Sequence, residues 1–218
     1  MQEHVEIFVL KHYYPSKYIN QVLTVASHYG LHGVNLHPLH LEHIDLGENP
    51  TKIFVYIDYP IGTNHTIGRA ALIQTYCKVY GKLIEGFNVA PLTSELLEDR
   101  WEETETDLSI LCKICHEADK KIRVIIDLSK IAGKDILKKL AELCEQLEID
   151  YLLVGSTNNK LIDTDTALLA ALNLKQEVSI PIGVFGNINK LDIAEGARDA
   201  GLVPIVILPK NISQIFEP

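Results

Sequence analysis

Eight short runs of apolar, largely β-branched residues recur along the 218-residue chain, and they constrain its fold more than any other feature. They are VEIFVL (5–10), GVNLH (33–37), IFVYID (53–58), LIEGFNV (83–89), RVIID (123–127), DYLLV (150–154), IPIGVF (180–185) and VPIVIL (203–208). Several are apolar at nearly every position instead of every second one. A strand reads this way when both its faces are buried, as in a parallel sheet covered by helices. Helical patterns lie between the runs. SKYINQVLTVASHYG carries Ile19, Val22, Leu23, Val25 and Ala26 at helical spacing, with Gly30 as a stop. IGRAALIQTYCKVYG repeats the plan up to Gly81, and KLDIAEGARDAG ends in Gly201. KDILKKLAELCEQLE (134–148) gathers Ile136, Leu137, Leu140, Leu143, Cys144 and Leu147 on one face. TDTALLAALNL opens in the Thr164/Asp165 region, which has capping chemistry. One long helix is expected over 95–118, and only a short one in PLHLEHI.

Eight alternating units predict an α/β fold of the (β/α)8 kind, a TIM barrel. A doubly wound open sheet is the rival, but no GxGxxG follows the first strand. No linker or shift of composition interrupts the pattern, so a single barrel domain over 1–218 is expected. The formal net charge is −9 and no basic block occurs, which argues against nucleic acid and anionic membranes as partners. No apolar run approaches the roughly 20 residues that a membrane helix needs. Four cysteines do not form a disulfide framework in a chain of this size, and the cytoplasm is the expected location.

Ligands of such barrels sit at the C-terminal ends of the strands. The candidates there are Glu6, His37, Asp58, Glu85, Asp127, Ser156, Thr157, Gly186 and Asn187. Carboxylates and a histidine converging on one mouth can supply general acid/base chemistry, or instead cap loops and helices. Ser156-Thr157 and Gly186-Asn187 offer hydroxyls and N–H groups to an anion. Pro209 removes a donor where a phosphate loop after strand eight would use one, although Lys210 follows it. CKICH (112–116) matches the haem-attachment pattern but lies in a helical stretch, so buried helix cysteines are expected. HPLHLEH spaces His37, His40 and His43 by three, and only His37 falls at a strand end. No metal and no cofactor are expected.

Taken in order, the strand ends resemble the deoxyribose-phosphate aldolase family of Schiff-base class I aldolases, from about residue 5 to residue 205. VEIFVLK is similar to a first strand of the form IDHTLLK, and GVNLHPLHL to the second strand with its proline turn. YIDYPIGTNHT (56–66) is similar to IGFPxGxNTT. LIEGFNVAPLTS resembles the fourth strand, EIDMVINIGAL, which implies Glu85 as the surviving acid. RVIIDL falls where the family closes strand five with an acid, Asp127 here. IDYLLVGSTNN and IPIGVFGNI resemble strands six and seven. The resemblance implies lyase activity on a small sugar- or aldehyde-type metabolite, phosphorylated or not, by a homo-oligomer. The sequence departs from the family where the chemistry lies. The imine-forming lysine, in a run like DFVKTSTG, is replaced by Leu153, or by Val154 if the Ser-Thr is aligned. The second lysine falls at about Gly183, and the GTSS loop of strand eight becomes Leu-Pro-Lys. An imine therefore requires a migrated amine, for which Lys11 and Lys160 are best placed. The alternatives are a non-catalytic metabolite-binding or structural pseudoenzyme, and an acid/base or metal-assisted enzyme using Glu6, Asp58, Glu85, Asp127 and His37.

Overall fold

Strands that are apolar on both faces must be covered on both, and the chain does this by closing its sheet on itself inside a ring of helices. The computed structural model describes residues 1–11, 13–44, 51–131, 133–158 and 160–217. The strands are β1 (Val5–Phe8), β2 (Gly33–Leu36), β3 (Lys52–Ile57), β4 (Ile84–Val89), β5 (Lys121–Asp127), β6 (Tyr151–Ser156), β7 (Ile182–Gly186) and β8 (Ile205–Ile207). All pair in parallel with their sequence neighbours, and β8 closes the barrel against β1 through Val5↔Ile205 and Ile7↔Ile207. This is the expected (β/α)8 barrel. The helices are α1 (Ser16–His28), α2 (Thr66–Tyr80), α3 (Thr93–Leu97), α4 (Trp101–Glu117), α5 (Lys134–Gln146), α6 (Thr164–Glu177), α7 (Leu191–Asp199) and α8 (Ile212–Phe216). None among the described residues is long and apolar enough to cross a membrane.

The helix boundaries follow backbone chemistry. Gly30 and Gly201 take left-handed conformations, φ +61° and +74°, and end α1 and α7 as expected. The long helix expected over 95–118 is broken. Asp99 adopts φ +58°, which separates α3 from α4. PLHLEH forms a 3-10 turn, Pro38–His43. The cap of α6 is Asp163, one residue earlier than expected, whose carboxylate accepts the Thr166 N–H at 2.8 Å. The CKICH cysteines lie buried on α4. The Cys112 thiol donates to the Leu147 carbonyl at 3.2 Å, and burial pushes its pKa up to about 11. Such a thiol is structural and not a ready nucleophile.

Strand alternation divides the buried residues into two sets. Outward-facing Ile7, Val34, Val55, Val124, Val154 and Val184 pack against the helices. Inward-facing residues fill the barrel in stacked layers, as side chains from alternate strands do in this architecture. At the base, Arg123 makes a two-pronged ion pair with Glu6, at 2.8 and 2.9 Å. Its guanidinium carbon lies 3.2 Å from the centroid of the Phe54 ring. The other Glu6 contacts are His32 Nδ1 at 2.7 Å and Asn35 Nδ2 at 2.9 Å. Asn88 extends the network to Asn35 Oδ1 at 2.6 Å. Above this lies an apolar layer of Phe8, Tyr56, Ile125, Leu153, Phe185 and Val206.

Burial pushes the Glu6 carboxyl up, but Arg123 and His32 outweigh it and hold the group at about 2. A depressed folded-state pKa stabilises the protein above the unfolded value, and that contribution disappears as pH falls through the folded one. Stability measured by urea unfolding should therefore decline between the ordinary glutamate value, about 4.3, and about 2. In Glu6→Gln this part of the decline should be missing. Removing the carboxylate also strands the buried guanidinium, a loss of about 3–5 kcal/mol at neutral pH.

Candidate functional site

The C-terminal mouth is shaped by Tyr59, which follows β3 and precedes a cis peptide to Pro60. Its ring packs edge-on against Phe8 at 5.3 Å and Phe185 at 6.2 Å between centroids, covering the apolar layer. Its hydroxyl crosses the mouth. It donates to Asp127 Oδ2 at 2.8 Å and lies 3.2 Å from the Thr157 hydroxyl. Burial first, then the Asp127 charge, raises the Tyr59 pKa far above the ordinary phenol range. It therefore stays a neutral donor. The axial position above β5 and β6 is filled by protein.

The open space is displaced toward β1–β3. A cavity of about 370 Å³ is lined by Leu10, His37, Tyr56, Asp58 and the loop Tyr59–Ile61, with Thr63 at its edge. Asp58 adopts φ +59° and closes the β3–α2 loop by accepting from the Asn64 backbone N–H at 3.1 Å. Behind it, fully buried Arg69 has Nε 3.5 Å from Asp58 and pairs with Asp107, which also accepts from Thr66 Oγ1 at 2.8 Å. Burial acts against both charges, pushing Arg69 down and Asp107 up, and their mutual attraction opposes it. His37 Nδ1 accepts from the Leu39 N–H at 3.3 Å, which leaves the proton of the neutral ring on Nε2. Tyr56 is buried, and its hydroxyl has no hydrogen-bond partner among the described residues. Ile61 and Thr63 also border a larger groove of about 960 Å³, which runs between the β3–α2 loop and the start of α4.

The residues expected at the mouth separate into three groups. His37 and Asp58 come together in the cavity. Asp127, Ser156, Thr157, Gly186 and Asn187 stand at the ends of β5–β7 and are tied into loops. Asp127 also accepts the Ser129 N–H at 2.9 Å, and Ser156 Oγ accepts the Asn158 N–H at 3.0 Å. Asn187 Oδ1 takes a bond from Asn211 Nδ2 at 3.3 Å, and Gly186, φ +146°, leaves no room for a Cβ beside Ser156 O. The remaining two, Glu6 and Glu85, lie elsewhere. Glu6 is consumed at the barrel base by Arg123. Glu85, expected at the mouth as an acid, is near the N-terminal end of β4, where it pairs with Lys52 at 3.2 Å. Its strand neighbours Gly86 and Asn88 differ from it in phase, and it is Asn88 that faces the interior. Tyr56, Tyr59 and Arg69 went unnoticed in the sequence; the clue was the apolar run IFVYID followed by Tyr59, which sets Asp58 between two tyrosines. Among the described residues no group of three or more His, Cys, Asp or Glu is arranged to hold a metal ion.

On β6, Leu153 is the inward residue and Val154 packs against the helices. Leu153 pairs in register with Gly183. A Cβ on Gly183 would lie 2.8 Å from Leu153 Cδ2 and 2.5 Å from the Pro204 carbonyl oxygen. Leucine therefore occupies the volume that a second inward side chain would need. The buried cations among the described residues are Arg69 and Arg123, and no lysine is among them.

No protein-family model and no curated protein matches the chain by sequence. Solved structures share its fold. An aldolase named QR15 superposes with a TM-score of 0.83 at 16% identity, over 99% of this chain and 94% of that one. The deoxyribose phosphate aldolase of Aeropyrum pernix, a tetramer, gives 0.79 at 16% identity over 99% and 89%. A type I 3-dehydroquinate dehydratase of Clostridium difficile gives 0.65 at 12% identity over 97% and 86%. At these identities the likeness is one of fold, a (β/α)8 barrel of the kind aldolases use.

Gly183→Ala should destabilise the protein by about 1–3 kcal/mol in urea unfolding, the usual effect of overpacking a filled core. The Leu153→Ala background should relieve only the part of that clash that falls on Cδ2, since the contact with the Pro204 carbonyl oxygen remains.

Proposed function

We propose that the chain is a divergent relative of the deoxyribose-phosphate aldolases that binds a small sugar- or aldehyde-type metabolite at its mouth without imine chemistry on β6. The interlock of Leu153 with Gly183 carries this reading. An imine-forming aldolase needs a neutral amine, prepared by desolvation and a neighbouring cation. Here both inward positions are occupied by a hydrocarbon side chain and the glycine that accommodates it. Lys11 is a poor substitute. Its ammonium lies over the Tyr13 and Tyr14 rings, at 5.5 and 5.7 Å, and the Tyr13 hydrogen bond raises its pKa. Lys160 is fully outside the barrel, on the exposed loop after β6. The polar cavity of His37, Tyr56 and Asp58 favours binding over a purely structural role. Because His37 and Asp58 share that cavity, a proton-transfer reaction on the bound metabolite is the second reading.

Borohydride reduction in the presence of 2-deoxyribose 5-phosphate or short aldehydes should leave the intact mass unchanged. A stoichiometric adduct on any lysine, mapped by peptide mass spectrometry, would show that an imine still forms and would refute the reading. Exchange of solvent deuterium into a bound hydroxyaldehyde, lost in His37→Gln, would favour the second reading over simple binding.

A further inference from the structure

The mouth cavity has a chemical preference of its own, and the argument for it rests on the metabolite-binding reading above. Three observations define it. First, the Tyr56 hydroxyl is buried and unpartnered among the described residues, although its residue lines the cavity. A buried hydroxyl without a partner is a free-energy penalty that natural proteins keep where a ligand or water relieves it. Its burial, and then the nearby Tyr59 and Tyr14, push the phenol well above its ordinary pKa, so it has a proton to donate. Second, among the described residues the one carboxylate lining the cavity is that of Asp58. Asn64 takes up part of its capacity, and each carboxylate oxygen can accept a further bond. Third, among the described residues no lysine or arginine lines the cavity. Arg69 lies behind Asp58 with its Nε 3.5 Å from that carboxylate, its other nitrogens are taken by Asp107 and the Ala90 carbonyl, and Lys11 turns over the tyrosine rings.

A phosphate entering this space would meet a carboxylate and, among the described residues, no lysine or arginine on the cavity wall, with its charge only partly solvated. A neutral hydroxycarbonyl compound meets a donor for its carbonyl oxygen and an acceptor for its hydroxyls. We infer that the cavity binds an uncharged hydroxyaldehyde or hydroxyketone, its carbonyl oxygen on the Tyr56 hydroxyl and a hydroxyl on Asp58, and discriminates against phosphorylated sugars. The volume of about 370 Å³ lies at the small end of ligand sites and fits such a molecule.

Matched pairs test this: glyceraldehyde, erythrose and 2-deoxyribose against their terminal phosphates, titrated by calorimetry into wild type, Tyr56→Phe and Asp58→Asn. The neutral member should bind at least about tenfold more tightly in wild type, because the phosphate faces a like charge and gives up water without a lysine or arginine to compensate it. Tyr56→Phe should weaken it about five- to tenfold while leaving the ligand-free Tm unchanged or raised, since no hydrogen bond is lost. Asp58→Asn should narrow the gap between the pair members. Phosphorylated sugars binding as well as neutral ones in wild type would overturn the inference while leaving the metabolite-binding reading intact. A ligand-free Tm several degrees lower in Tyr56→Phe would also overturn it, by revealing a structural partner for the hydroxyl. Binding of neither member would sink both the inference and the reading beneath it.

Discussion

A guanidinium sealed in the middle of a protein determines how the rest of this barrel is filled. Arg123 on β5 reaches across to Glu6 on β1, the strand diametrically opposite in an eight-stranded barrel. Two buried charges are tolerated only when geometry and additional hydrogen bonds satisfy them. Glu6 meets that condition with both oxygens, aided by His32 and Asn35, and Phe54 presents a ring face to the cation. The base of the barrel is thereby closed with polar groups. The layer above can then be largely apolar: Leu153, Val206, Phe8, Ile125, Phe185 and the ring of Tyr56 stack upward to the Tyr59 ring. The axis is filled from end to end, and the cavity is left at the side, between β1 and β3.

The wall of that cavity depends on a second buried group. Asp58 sits in a left-handed conformation and is backed by Arg69, whose other contacts reach α4 through Asp107 and the end of β4 through Ala90. The carboxylate facing the cavity is thus held by three separate elements. A side chain positioned this way loses little freedom when it binds something.

The strands and their order were legible because a two-sided burial pattern is written into consecutive residues, and each of the eight runs overlaps an observed strand. The same pattern hid the phase. In a run such as LIEGFNV, apolar at most positions, nothing tells whether Glu85 or Gly86 points inward, and a shift of one residue exchanges barrel interior for exterior. Glu85 was placed at the mouth on the resemblance of this run to the family's fourth strand, and it lies at the opposite end, paired with Lys52. Glu6 was visible as an acid in strand one, but its partner lies 117 positions away, and sequence spacing carries no sign of such a contact. Tyr59 was hidden for another reason. A tyrosine after a strand is ordinary, and only the folded chain brings its hydroxyl to Asp127 and Thr157. The break of the long helix at Asp99 was equally silent, since aspartate is one of the few residues that enter the left-handed region without strong strain.

The contact between Leu153 and Gly183 bears on how such a barrel could change its chemistry. A lysine placed at 183 collides with Leu153 and with the Pro204 carbonyl, and a lysine placed at 153 alone enters an apolar layer with no counter-ion. Neither substitution is neutral by itself, and the first becomes tolerable only after β6 has been trimmed and the β7–β8 connection has moved. The two positions are therefore epistatic. A lineage or a designer moving from this interior to a paired-lysine one must pass through a destabilised intermediate, and the order of the steps is set by volume before any question of reactivity arises.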